Sequence, residues 1–268
     1  MTGFFDSGVG GIAILKAFLE RGLDKDIVYF AINGGGMIGS KTHESIMDTT
    51  KFAVEYLDSQ GCSEVYLACN TASANSLIDP NFDEWKSTYF PSAKVFGIVT
   101  PTLKYLESIP KNKKITILGT PSTINSNIYQ KELSSYGFAL VFGLPTNLLA
   151  RAVEDMDYDR TRIVLKELFL ENYENIKNTD LLVLSCTHYI WVKKTISEVF
   201  EKMFDYEPEI IAQNKICFVG NEEKLGKLEL VEEENNVYLL NKKARIKVVT
   251  TDGNPLEFAK KAQKLLNQ

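Results

Sequence analysis

Residues 64–71, EVYLACNT, and residues 181–187, LLVLSCT, carry the same pattern twice: an apolar run, a small residue, a cysteine and a threonine. Each run is short and rich in β-favouring side chains, which marks a buried strand that ends where polar residues begin. A second echo lies upstream of each, in FFDSGVGG (residues 4–11) and ITILGTPST (residues 115–123), both strands breaking into glycine and a hydroxyl residue. Such duplication predicts two related lobes facing one another across a cleft, with Cys69 and Cys186 at equivalent sheet ends, one on each wall.

Working outward, short β-rich runs alternate with helical periods along the chain. Ile14, Leu15, Phe18 and Leu19 share one face of a helix over residues 12–21. Residues 27–32 read as strand, and a long helix runs to about Tyr56. The same alternation restarts after Pro91 with VFGIVTP, ITILGT and ALVFGL, then a helix-rich stretch over residues 146–176. The polar segment GNEEKLGKLELVEEENN reads as solvated helix or loop, before a strand RIKVVTT and a helix from Pro255. This is the pattern of an α/β fold: two pseudo-symmetric lobes, each a mainly parallel sheet flanked by helices, with ligands at the carboxyl ends of the strands. The first lobe is placed at residues 1–94 plus 206–268 and the second at 95–205.

Composition narrows the function. The 268 residues are 44% hydrophobic and 24% charged, with 30 basic against 35 acidic side chains, an ordinary globular profile. A sequence pI near 5.3 argues against a broad nucleic-acid face, the basic run Lys111–Lys114 notwithstanding. No apolar run has the length of a membrane span, and MTGFFDSGVGG has neither the basic nor the apolar region of a signal peptide, so a cytoplasmic location is expected. The four cysteines, Cys62, Cys69, Cys186 and Cys217, form neither a zinc pattern nor a disulfide framework, and there are only two histidines, His43 and His188. No metal is expected, and the chemistry falls to thiols, carboxylates and backbone dipoles.

A cysteine where a strand runs into a helix sits beside unpaired N–H groups and the positive end of the helix dipole, which favours thiolate. Free cysteine is also among the most buried residue types, and packing is the reading kept for Cys62 and Cys217. For Cys69 and Cys186 the repeated setting points to function. Two opposed thiols without metal or redox spacing suit proton abstraction and return at a carbon acid: one removes an α-proton from one face, the other delivers a proton to the opposite face. Peroxidase or disulfide-exchange chemistry fits less well, because a resolving cysteine at the expected spacing is absent. Asp6 could bind a substrate ammonium or assist a thiol, or serve only as a turn residue. Asn70, Thr71 and Thr187 offer donors at helix starts, Thr120 and Thr123 either donors or a simple cap, and His188 a partner for Cys186 or a structural imidazole. Glu154 is by default a surface carboxylate.

FFDSGVGG, ACNTASA, LGTPSTINS and LSCTHY together resemble the glutamate racemase family, within the aspartate/glutamate racemase superfamily, and the likeness spans most of the chain. The resemblance implies a cofactor-independent isomerase that interconverts L- and D-glutamate, supplies D-glutamate for peptidoglycan and forms a homodimer. It makes Cys69 and Cys186 the acid/base thiols, assisted by Asp6, His188 and Glu154. Substrate binding falls to Asp6, Ser7, Ile38, Gly39, Asn70, Thr71, Thr120, Thr123, Thr187 and His188. One segment departs from the family's GDxxxxPYG loop: with its last glycine at Gly39, Ile32 replaces the acidic residue, Met37-Ile38 the Pro-Tyr pair, and Gly34–Gly36 fill the middle. Thr100-Pro101-Thr102 likewise stands at the family's EPG-like element. These departures leave open a racemase for another acidic amino acid such as aspartate, or an idle relative that binds an acidic metabolite and a protein partner.

Overall fold

All five residues of β1, Thr2–Asp6, are buried, and the strand sits inside a sheet covered on both faces. The computed structural model describes residues 1–22, 26–33, 37–146, 148–218, 225–234, 236–241 and 243–268. Its strands are β1, β2 (Asp26–Ala31), β3 (Glu64–Leu67), β4 (Lys94–Gly97), β5 (Ile115–Gly119) and β6 (Val141–Pro145), followed by β7 (Leu181–Ser185), β8 (Glu209–Ala212), β9 (Glu229–Glu233), β10 (Asn236–Leu240) and β11 (Arg245–Thr250). They form a seven-stranded sheet in the order β4-β3-β1-β2-β11-β10-β9 and a four-stranded sheet in the order β6-β5-β7-β8.

Reversed, the second order is β8-β7-β5-β6, which matches β4-β3-β1-β2 strand for strand. All pairings within both quartets are parallel. The two sequence echoes are therefore equivalent pieces of one repeated unit: β3 and β7 carry the cysteine phrases, and β1 and β5 the glycine-hydroxyl breaks. The first sheet is extended by β11, parallel to β2, and by the antiparallel strands β10 and β9.

Alternate residues of each strand feed opposite cores, as the period of two requires. In β1, Phe4 joins the cluster under the Ile12–Leu19 and Pro255–Leu266 helices, and Phe5 joins the one under the His43–Ser59 helix. In the second sheet, Leu182 and Leu184 face one cluster and Leu181 and Val183 the other.

Sheet membership runs a few residues past the expected lobe boundaries. β4 pairs with β3, so the first sheet holds the chain through Gly97 rather than residue 94, and β8 pairs with β7, so the second sheet keeps it to Ala212 rather than residue 205. Both are four-residue edge strands with half-exposed positions, too short to announce themselves by composition. Within the segment expected as solvated helix or loop, Glu229–Glu233 form β9, which pairs antiparallel with β10 at the sheet edge. Its glutamates hide the alternation that marks a strand. The helical stretch expected over 146–176 is three helices, Leu148–Glu154, Tyr158–Glu171 and Tyr173–Ile176, the first break passing through Met156 at φ 55°. Gly34–Gly36 lie outside the described residues. No helix among the described residues is long and apolar enough to cross a membrane.

Two substitutions test this division of the core. Leu184→Ala, at a fully buried β7 position, should lower the unfolding free energy by about 2–5 kcal/mol in chemical denaturation. Leu170→Ala, at a residue 69% exposed, should stay within about 0.5 kcal/mol.

Candidate active site

The carboxyl end of β1 is the first element of the site. Its Asp6 carboxylate accepts the Gly8 N–H at 2.9 Å through Oδ1 and the Thr187 hydroxyl at 3.1 Å through Oδ2, so one side chain closes its own turn and reaches across to the second lobe. The turn reading of Asp6 is met by the Gly8 bond, while its second oxygen is turned into the cleft between the lobes. The glycines of DSGVGG let the loop lie directly against the helix that follows Cys186. A Cβ on Gly10 would stand 2.6 Å from His188 Nδ1 and 2.8 Å from the His188 amide nitrogen. One on Gly11 would stand 2.6 Å from Asp6 Cβ. One on Gly8 would collide with Glu154 Oε2. No larger residue fits at Gly8 or Gly10 without displacing second-lobe atoms, nor at Gly11 without displacing Asp6 or Tyr29 of the same lobe.

Cys69 lies two residues past β3, at the N-cap position of the Asn70–Ile78 helix, and its thiol lies 3.8 Å from the Ser7 hydroxyl. The Ala68 and Cys69 amides both donate to Phe5 O, tying this cysteine to the end of β1. Cys186 occupies the equivalent place after β7, at the start of the Thr187–Trp191 helix, with its sulfur 3.7 Å from His188 Nδ1. His188 Nε2 in turn donates to Glu154 Oε2 at 2.7 Å, and the same oxygen accepts the Val9 N–H at 2.9 Å. Glu154 is therefore no surface carboxylate: its side chain is 20% exposed and bonded to both lobes. Each thiol has its own polar retinue, Ser7 and Asp6 for one, His188 and Glu154 for the other.

Burial and charge set the protonation of these groups. Burial pushes the Asp6 carboxyl up from 3.8 to about 6, against the pull of His188 and the Thr187 and Gly8 donors. Burial, then the Asp6 charge, pushes the Cys69 thiol up to about 12, so at rest burial outweighs the thiolate-favouring effect expected of the helix start. Burial works against the His188 cation, yet the contacts with Cys186 and Glu154 hold its pKa well above 6.5. Burial likewise works against the Glu154 anion, but His188 and the Val9 N–H hold it below 4.5. Glu154 and His188 thus form a buried ion pair whose imidazolium presents Nδ1–H to the Cys186 sulfur.

A second cluster gathers hydroxyls. Thr71 lies 2.9 Å from Thr120 and 3.3 Å from Thr123, and Thr120 lies 2.9 Å from Thr123, all three buried between the lobes. Thr120 also caps the Pro121–Asn125 helix, so its simpler reading holds as well. The Ile38–Ser40 turn, with Ile38 and Gly39 buried, packs against that helix. Asn70, by contrast, is turned away into a buried amide network. It exchanges two hydrogen bonds with Gln213, and its carbonyl also accepts from the Tyr129 hydroxyl, leaving one amide N–H for a ligand. Gln213 reaches Thr102 as well. Gln213 and Tyr129 escaped the sequence reading. The available signal was that Gln213 is the first polar residue after apolar β8, as Cys69 and Cys186 stand just past their own strands. Cys62 is core, as expected; Cys217, half-buried, packs against the first-lobe core.

With this geometry in view, the comparisons with known proteins are specific. No protein-family model matches the sequence. A curated glutamate racemase of Campylobacter jejuni is 30% identical over 249 residues, 91% of this chain and 89% of its own length. The chain belongs to the glutamate racemase family. A crystal structure of glutamate racemase from Campylobacter jejuni aligns over 99% of this chain and 98% of its own, with a TM-score of 0.75 and 25% identity. A glutamate racemase from Francisella tularensis, solved in complex with D-glutamate, shares the fold over 80% of this chain and 76% of its own, at a TM-score of 0.66 and 23% identity. Membership of the glutamate racemase family makes the chain an amino-acid isomerase of the two-lobed α/β type.

Two expectations follow from the site geometry. Gly10→Ala should cost the fold roughly 1–3 kcal/mol in chemical denaturation. Gly226→Ala, whose Cβ would meet only Asn241 Nδ2 at 4.0 Å, should stay within about 0.5 kcal/mol. For Asp6 the folded state holds the proton more tightly than the unfolded chain, so its stability is fully present below pH 3.8 and is lost as pH rises through about 6. The loss is on the order of 3 kcal/mol. Asp6→Asn removes it, so the difference in unfolding free energy between variant and wild type should move in the variant's favour from pH 4 to pH 7.

Proposed function

We propose that this protein is a cofactor-independent glutamate racemase that moves the α-proton between Cys69 and Cys186. The observation that carries the reading is the pair of matched sheet-end cysteines, each with its own proton-handling partner, on the two lobes of a chain of this family. In the proposed step a thiolate takes the α-proton from one face of the amino acid, and the electron pair of the broken C–H bond spreads onto the α-carboxylate. The opposite thiol then protonates carbon from the other face, which inverts the centre and exchanges the thiol and thiolate roles. The same two groups run the reverse reaction, so nothing else is consumed.

The surrounding groups divide the remaining work. Asp6, with a pKa of about 6, is poised near neutrality to exchange protons on the Cys69 side and to receive a substrate ammonium, with Ser7 beside it. His188 and Glu154 serve the Cys186 side. Thr71, Thr120, Thr123, Thr187, the remaining N–H of Asn70 and the Ile38–Gly39 turn supply donors for the two carboxylates, where fixed dipoles stabilise the developing carbanion without reorganisation. The Francisella tularensis relative solved with D-glutamate supports the substrate assignment. The same reading extends to a cytoplasmic homodimer that supplies D-glutamate for peptidoglycan.

Ile32 and Met37-Ile38, in place of the acidic residue and the Pro-Tyr pair that the resemblance implies, favour testing aspartate alongside glutamate. Purified protein is incubated with single enantiomers of each in deuterium oxide, following optical rotation and α-deuterium. The expected result is inversion of glutamate with solvent deuterium incorporated at Cα, and loss of inversion by at least about a hundredfold in Cys69→Ala and in Cys186→Ala. Inversion of aspartate alone reassigns the substrate. A wild-type protein that neither inverts nor exchanges either amino acid returns the chain to the reading of a binding relative.

A further inference from the structure

One buried side chain, Asn75, lies outside every role assigned so far and yet bonds to both segments that carry the threonine hydroxyls and to His43 beyond them. It is 2% exposed, one turn along the helix from Thr71. Its Nδ2 donates to Thr71 O at 2.8 Å and to the Ser122 hydroxyl at 3.2 Å, across the lobe boundary. A backbone carbonyl can only accept, so the amide nitrogen is fixed on that side and Oδ1 is left for His43, whose Nδ1 lies 2.8 Å away and must donate. His43 opens the helix just after the Ile38–Ser40 turn, and its Nε2 stands 3.3 Å from Asp79 Oδ2. These residues border a cavity of about 270 Å³ between the lobes, lined by Ser40, Lys41, His43, Asn75 and Ser122 among others.

The three threonine hydroxyls now bond one another. Each hydroxyl has one proton, so every proton turned toward a carboxylate is withdrawn from a threonine–threonine contact, which weakens the Thr71–Thr120 and Thr71–Thr123 links between the lobes. Among the described residues, Asn75 to Ser122 is the remaining side-chain hydrogen bond between the Asn70–Ile78 and Pro121–Asn125 helices. We infer that Asn75, oriented by His43, is a positioning residue that keeps the Gly39 turn and the threonine hydroxyls at carboxylate-binding spacing while those hydroxyls turn to the substrate. The inference rests on the reading that this cluster holds a substrate carboxylate.

Steady-state kinetics with each glutamate enantiomer, alongside thermal unfolding, test it. Asn75→Leu should raise KM about tenfold, the factor for one net hydrogen bond, and leave kcat within about threefold. His43→Leu, at a half-exposed side chain, should raise KM in the same direction, and His43→Gln, which restores an N–H donor, should return it toward wild type. Among the described residues His43 and Ser122 share Asn75 as hydrogen-bond partner, so His43→Leu combined with Ser122→Ala should raise KM by less than the product of the single effects. A KM within twofold of wild type in both Asn75→Leu and His43→Leu overturns the inference, as does a fall in kcat as large as the rise in KM. If Asn75→Leu does not fold, the His43 variants alone decide. A wild-type protein that neither racemises nor binds glutamate by calorimetry overturns the proposed function and this inference together, a result distinct from the others.

Discussion

The contact on which the rest of this molecule depends is the bare approach of a glycine loop to a helix. Gly8 and Gly10 bring the backbone after β1 so close to Thr187, His188 and Glu154 that a single methyl group has no room. That closeness lets the Val9 N–H reach Glu154 and Asp6 reach Thr187, so the two lobes are joined through the ionisable groups themselves. Separating the lobes takes the Val9 N–H away from Glu154 and the Thr187 hydroxyl away from Asp6, and a buried carboxylate left short of donors is costly. The cleft is therefore held by the same bonds that set its charges.

Much of the architecture could be read because repetition is a strong signal. EVYLACNT and LLVLSCT, with the strands at Phe4 and Ile115, predicted two equivalent sheets, and the matching strand orders bear this out. What escaped were the edges. β4, β8 and β9 are short and half-exposed, and an edge strand needs no regular alternation because only part of it is covered. Each quartet's sheet consequently runs a few residues past the point where the alternation restarts in the sequence. The break at Met156 was equally silent, since a left-handed residue that is not glycine leaves no mark in the sequence.

For the candidate site the legible part was the part encoded in neighbouring residues. Cys186 and His188 are close in sequence, and so are Asp6, Ser7 and the glycines. Glu154, placed in sequence terms on the solvent side of a helix, gained its partners only through tertiary packing. Gln213, Tyr129, Asn75 and His43 illustrate the same limit: each acts through hydrogen bonds to residues far away in sequence, and a polar side chain facing inward reads no differently from one facing water. Asn70 shows the converse. Its place after Cys69 points toward a ligand, yet most of its hydrogen-bonding capacity is spent on Gln213 and Tyr129.

The backbone frame of the two cysteines is duplicated, but their surroundings are not: a hydroxyl and a carboxyl attend one, an imidazolium and a carboxylate the other. For the proposed reaction this mismatch has a thermodynamic boundary. Mirror-image amino acids in water have equal free energies, so the overall equilibrium constant is one and the ratio of kcat to KM must be the same from either side, however different the two walls are. The asymmetry can be expressed only in how tightly each enantiomer is held and how fast it turns over once bound, with the two compensating. A repeated fold with unlike ends can thus favour one hand at the level of occupancy while remaining even-handed in what it makes.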